Sequence, residues 1–244
     1  MLLQEEKKYL KILPQPTDVS CGPTCLHAVY NFYNDQLNLD QVIDEVKQVT
    51  GGGTLAVMLA NHALRRGYET TIYTNNLQVF DPTWFNEDVD IAEKLKEQLR
   101  YKKTKRMAQA SEAYLAFLKA GGKLKFDELS PELLKNFLQN KIPVLTGLSA
   151  TYLYQSSREI GETNVYHDTK GEPSGHFVVL SDYDEVEGKV LIADPLDPNP
   201  ISDTNQYYAV KIQRVVNAIL LGIVTYDANL LIIQPKKHAA INSN

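Results

Sequence analysis

The stretch Gln15 to Cys25, Gln-Pro-Thr-Asp-Val-Ser-Cys-Gly-Pro-Thr-Cys, constrains this chain more than any other. Ser20 and Thr24 suit a helix cap or first turn. Pro23 suits a first turn because it has no N–H to lose there. Leu26, Val29, Tyr30, Phe32 and Tyr33 follow at helical spacing. The stretch therefore predicts a buried helix from about Cys21 to Asn34, with Cys21 at its N-terminus. The partial positive charge of a helix start favours a thiolate over a thiol. Gly22 leaves room for a substrate backbone to approach. Gln15 carries a side-chain amide that can donate, with the Cys21 N–H, to a developing oxyanion.

A thiol nucleophile needs a base within hydrogen-bond reach and a third group to orient that base. Gly175-His176-Phe177-Val178-Val179-Leu180 and Ala193-Asp194-Pro195 supply both. Strands over His176–Asp182 and Val190–Asp194 form a hairpin in this reading. Pairing Val178 with Ile192 and Leu180 with Val190 sets His176 directly opposite Asp194, on one face. Both strand faces are apolar, so pattern leaves the register open, and Asp182 takes the place of Asp194 if it shifts. His167 is a weaker rival base, because it has no strand around it.

Gln15, Cys21 and Gly22 in this spacing, with the segments around His176 and Asp194, resemble papain-like cysteine peptidases. The resemblance is greatest to the bacteriocin-processing branch, family thirty-nine of the cysteine peptidases, which cleaves leader peptides after a double glycine. The order Gln, Cys, His, Asp is that family's order. The resemblance implies an α+β, papain-like fold: a helical N-terminal half packed on an antiparallel sheet, with residues 1–244 as a single domain. It implies a cysteine peptidase acting on a peptide or amide bond through a thioester. Cys21 is then the nucleophile, His176 the base, Asp194 its partner and Gln15 an oxyanion donor, with Gly22 and Gly175 at the substrate. Two other classes stay open: an acyltransferase or amidase with the same chemistry, and a silent peptide-binding module.

Composition narrows the field. At 244 residues the chain can bury a sizeable core. A formal charge of −5 gives no electrostatic reason to expect nucleic acid. No apolar run reaches the length of a membrane span, and Met1 to Leu13 lacks a signal-peptide core, so a cytoplasmic location is expected. The two cysteines, Cys21 and Cys25, lie one helical turn apart, where disulfide geometry is poor, so both are read as reduced. Cys25 reads as a small buried hydrophobe. A metal site with His27 lacks a second ligand pair. No metal or organic cofactor is implied.

The remaining chain reads as alternating elements. Tyr9 to Leu13 suggests an edge strand. Asn38 or Asp40 opens a second helix with Val42, Ile43, Val46 and Val49 inward. Gly51 to Gly53 make a turn without the residues of a phosphate loop, and Thr54 caps a helix through Arg66. Tyr68 to Tyr73 alternates as a strand. A helical insertion is expected at about 86–120; its basic run from Lys94 to Arg106 is diluted by Glu93, Glu97 and Glu112 and reads as a solvated face. Ser130-Pro131-Glu132 starts another helix, and Ile142 to Leu145 begins a strand. The long polar stretch Ser149 to Ser174, just before His176, reads as a mobile substrate-binding flap. Asn205–Lys211 and Asn229–Gln234 read as strands flanking a short helix over Val215–Ile223.

Overall fold

The computed structural model describes residues 10–161, 163, 165–202 and 205–236. The strand expected at Tyr9 to Leu13 begins outside these residues, and from Leu10 onward the backbone is irregular. One of its ties is the Tyr207 side chain. The Ile12 N–H donates to the Tyr207 hydroxyl (2.9 Å), which donates to the Leu10 carbonyl (3.1 Å).

Helix α1 spans Cys21–Phe32, and nine consecutive residues from Gly22 to Tyr30 are buried. Helix α2, Leu39–Glu45, starts where the Asn38 side chain accepts from the Asp40 N–H (3.0 Å). It ends before Val46 and Val49, yet both are buried. Helix α3, Ala56–Arg65, is not capped by Thr54: Leu55 occupies the cap position, and the Thr54 hydroxyl donates to the Lys47 carbonyl instead (3.0 Å). Strand β1 is Tyr68–Thr74. The helical stretch after it is two helices, α4 Ile91–Gln98 and α5 Lys105–Lys119. The short strand β2, Lys123–Lys125, follows.

Helix α6, Pro131–Gln139, has the expected start: the Ser130 hydroxyl accepts from the Leu133 N–H (3.2 Å), and Pro131 opens the first turn. Strand β3 is Val144–Ser149. The stretch read as a flap is largely structured. Ser149 caps a one-turn helix, α7 Ala150–Tyr154, and β4 Glu159–Ile160 pairs with β5 Val165–Tyr166. Strands β6 Gly175–Asp184, β7 Lys189–Ala193 and β8 Tyr207–Lys211 come next. Helix α8 Ile212–Leu221 continues into a 3-10 turn, Gly222–Thr225, and β9 Asn229–Pro235 closes the described chain.

Seven of the nine described strands form one sheet in the order β2-β1-β9-β3-β6-β7-β8, and β4 and β5 form a separate pair. Every pairing is antiparallel except β1 with β2. Alternate residues of β6 enter different cores: Phe177 and Val179 join one containing Leu26 of α1 and Leu59 of α3, while Val178 and Leu180 join another containing Leu138 of α6 and Ile219 of α8. Helices thus cover both faces, which explains why these strands are apolar on both sides.

The β6–β7 register differs from the expected one. Leu180 pairs with Ile192 and Val179 with Ala193, two residues from the expected alignment, and the ladder slips again between Leu180 and Asp182. A shift of two residues preserves the face of every side chain. His176 and Asp194 therefore stay on the same face, as diagonal rather than direct neighbours. Their long side chains can span that separation.

Candidate active site

Cys21 begins α1 and is partly exposed. Ser20 stands at the cap position, but its hydroxyl bonds back to Thr17, accepting from the Thr17 N–H (3.0 Å) and donating to the Thr17 carbonyl (2.8 Å). No side chain caps α1, and no acidic residue sits in its first turn. The positive end of the helix is thus uncompensated by side-chain capping where Cys21 lies. Four residues on, Cys25 is fully buried and its thiol donates to the Phe177 carbonyl (3.2 Å). Burial pushes the Cys25 thiol well above its ordinary value, with Cys21 and Asp194 adding to the rise. That contact seats the first turns of α1 against the start of β6.

His176 therefore lies near Cys21, and its ring interacts with the Cys21 side chain. His176 Nε2 is 2.8 Å from Asp194 Oδ1. With Nε2 engaged there, the arrangement leaves Nδ1 for Cys21. Burial works against charge on the imidazole, but Asp194 and Cys21 outweigh it and lift His176 to about 10. Asp194 is fully buried, which alone would raise its proton affinity. His176, the Tyr208 hydroxyl and the Leu196 N–H reverse that and hold the carboxyl below its ordinary value. The other candidate carboxylate, Asp182, binds Lys141 Nζ (2.9 Å) and the Tyr183 N–H (2.9 Å) further along β6.

Gln15 is fastened near Asp194 by its backbone, whose N–H donates to the Pro195 carbonyl (2.8 Å). Its Nε2 donates to the Thr17 carbonyl (3.1 Å). An amide nitrogen has two N–H bonds, so one remains after this contact. Gly22 is buried, and a Cβ there would stand 2.5 Å from Thr54 Cγ2 and 3.3 Å from Phe177 Cδ2. Packing requires glycine at 22 whatever passes outside. Gly175 is exposed at the start of β6, with Thr225 Oγ1 2.5 Å from where a Cβ would lie.

The remaining described histidines have local roles. His27 meets the Leu37 carbonyl (3.0 Å), and His62 bridges the Tyr30 hydroxyl (2.8 Å) and Glu45 (2.9 Å). His167 Nδ1 accepts from the Thr169 and Lys170 N–H groups in the segment before β6. Among the described residues, no group of three or more metal-ligating side chains assembles. No described helix is long and apolar enough to cross a membrane.

Two residues of the site escaped the sequence reading. The Tyr154 hydroxyl (2.8 Å) and the Tyr208 hydroxyl (2.6 Å) both donate to Asp194 Oδ2. Tyr154 lies in the stretch read as a flap, which therefore adjoins the site. A cavity of about 460 Å³ opens beside α7, lined by Thr151, Tyr152, Arg158, Pro173, Leu221 and Val224 among others. No sequence signal singles out either tyrosine, since each matters only through a partner distant in the chain.

The fold and the family define what class of protein this is. A protein of Bacillus anthracis described as a C39-like peptidase shares the fold at a TM-score of 0.51, with 13% identity, covering 95% of this chain and 97% of that one. A double glycine motif protease from an AMS/PCAT transporter, determined with its leader peptide, is similar at 0.46, with 14% identity and coverage of 95% and 96%. The peptidase domain of Streptococcus ComA is similar at 0.45, with 12% identity and coverage of 93% and 100%. No curated protein matches the sequence. The model of the Peptidase_C39 like family matches residues 7–219, and the chain belongs to that family of cysteine-peptidase-like hydrolases.

Proposed function

We propose that the protein hydrolyses a peptide or amide bond through a thioester on Cys21. The observation that carries this reading is the buried His176–Asp194 pair, 2.8 Å apart, whose imidazole also interacts with Cys21. His176 takes the Cys21 proton first, and the thiolate sulfur then bonds to the carbonyl carbon. The oxyanion takes hydrogen bonds from the Cys21 N–H and the free N–H of Gln15. The C–N bond then breaks, and the imidazolium gives its proton to the leaving amine. His176 next takes a proton from a water whose oxygen bonds to the thioester carbon. The C–S bond breaks to release the acid, and His176 returns the proton to the Cys21 sulfur. Gly22 and Gly175 border the substrate in this reading, and residues 1–244 act as one domain with α4 and α5 as its helical insertion. An amine in place of water would make the same site an acyltransferase.

Intact mass measurement after incubation with an electrophilic peptide probe tests the nucleophile. One adduct is expected, mapped to Cys21 and lost in Cys21→Ala. On a peptide that wild type cleaves, Gln15→Ala is expected to slow single turnover by about 100- to 1000-fold with affinity nearly unchanged. An adduct on Cys25, or peptide binding with neither cleavage nor transfer, contradicts the proposal and favours the binding module.

A further inference from the structure

We propose that Tyr154 and Tyr208 are positioning residues, whose hydroxyls hold Asp194 as a fixed, oriented acceptor for His176. The inference rests on the triad reading above and extends it to residues outside the triad. Asp194 is fully buried and both of its oxygens are occupied. Oδ1 accepts from His176 Nε2 (2.8 Å) and the Leu196 N–H (2.9 Å). Oδ2 accepts from Tyr154 (2.8 Å) and Tyr208 (2.6 Å).

The two hydroxyls come from different elements, α7 and β8. Rotating the carboxylate would break contacts with both at once, so its plane is set from outside the His176 strand. Each tyrosine has one O–H to give and gives it to Oδ2. Burial, reinforced by the Asp194 charge, raises both tyrosines above their ordinary value and keeps them protonated donors. The titratable groups acting on or through this carboxylate are His176 on β6, Cys21 and Cys25 on α1, and the two tyrosines.

A carboxylate that already accepts four hydrogen bonds is a weak base. It can orient the imidazole and stabilise its charge without taking its proton. The proton from Cys21 then stays on His176 for the leaving amine. Without the hydroxyls, Asp194 becomes more basic and is held through Oδ1 alone.

The test uses Tyr154→Phe and Tyr208→Phe, which delete one oxygen each and keep the ring. On a peptide that wild type cleaves, each is expected to lower kcat by about tenfold, the loss of one hydrogen bond to a charged group, with KM little changed. The acidic limb of the kcat/KM profile should move to higher pH in both variants, because Asp194 is protonated sooner. The NMR resonance of the proton between His176 Nε2 and Asp194 reads the same clamp without turnover, and should move in both variants. If turnover, acidic limb and resonance are all unchanged while melting temperature falls, the hydroxyls are only structural and the inference is wrong. If wild type fails to react at Cys21 but the resonance still responds to both variants, the clamp stands and the triad reading fails.

Discussion

At the scale of single residues, buried packing sets the surroundings of Cys21. Gly22 shows this most sharply. Its missing Cβ would fall 2.5 Å from Thr54 Cγ2 and 3.3 Å from Leu59 Cδ1. Thr54 cannot swing aside freely, because it is β-branched and its hydroxyl is tied to the Lys47 carbonyl. Gly22→Ala is therefore expected to destabilise the protein by about 1–3 kcal/mol in urea titration. Adding Thr54→Ser, which keeps the hydroxyl and removes Cγ2, should restore most of that loss. A double variant no more stable than Gly22→Ala alone would locate the strain elsewhere.

At the scale of elements, local chemistry succeeds where partners are near in sequence. The start of α6 is such a case, with Ser130 and Pro131 specifying it inside one turn. Ser130→Ala should cost about 1 kcal/mol of unfolding free energy. A loss within error by chemical denaturation would show that α6 is held by its buried face, Leu134, Phe137 and Leu138, and not by its cap. Thr54 looked like an equal cap, but its hydroxyl found a carbonyl seven residues earlier and left Leu55 at the cap position. The stretch from Ser149 to Ser174 looked like a loop because its polarity hides a one-turn helix and a hairpin of two-residue strands. Those elements are too short to show a period, and they form because the chain folds back on itself, as when Glu159 and Glu172 exchange backbone hydrogen bonds.

At the scale of the whole molecule, the three-layer arrangement buries groups that would otherwise be charged. Asp227 is the clearest outside the site. It lies between α3 and the sheet, its carboxylate accepts from the Ala56 N–H, and burial lifts it to about 7 against the pull of Arg106. A carboxyl with a raised folded value holds its proton longer folded than unfolded. Its contribution is full below the ordinary carboxylate value and is lost as pH rises to about 7. Asp227→Asn cannot ionise, so it should gain stability relative to wild type between pH 4 and pH 8, by up to a few kcal/mol. Paired melting curves across that range check this, and a constant difference would show that Asp227 does not titrate there.

The sequence by itself determined which segments form helices and strands wherever the signal is local. It named Cys21, His176 and Asp194, the residues that the fold brings together. Helix caps, apolar spacing and the glycine and proline punctuation act within a few residues, so they are legible in the chain. Only the tertiary structure decided the β6–β7 register, because strands buried on both faces have no polar side to fix their alignment. It also decided that Gly22 is demanded by Thr54, and that Asp194 is gripped by Tyr154 and Tyr208. Those contacts join residues 32, 40 and 14 positions apart, and nothing in the local chemistry of either partner records the other.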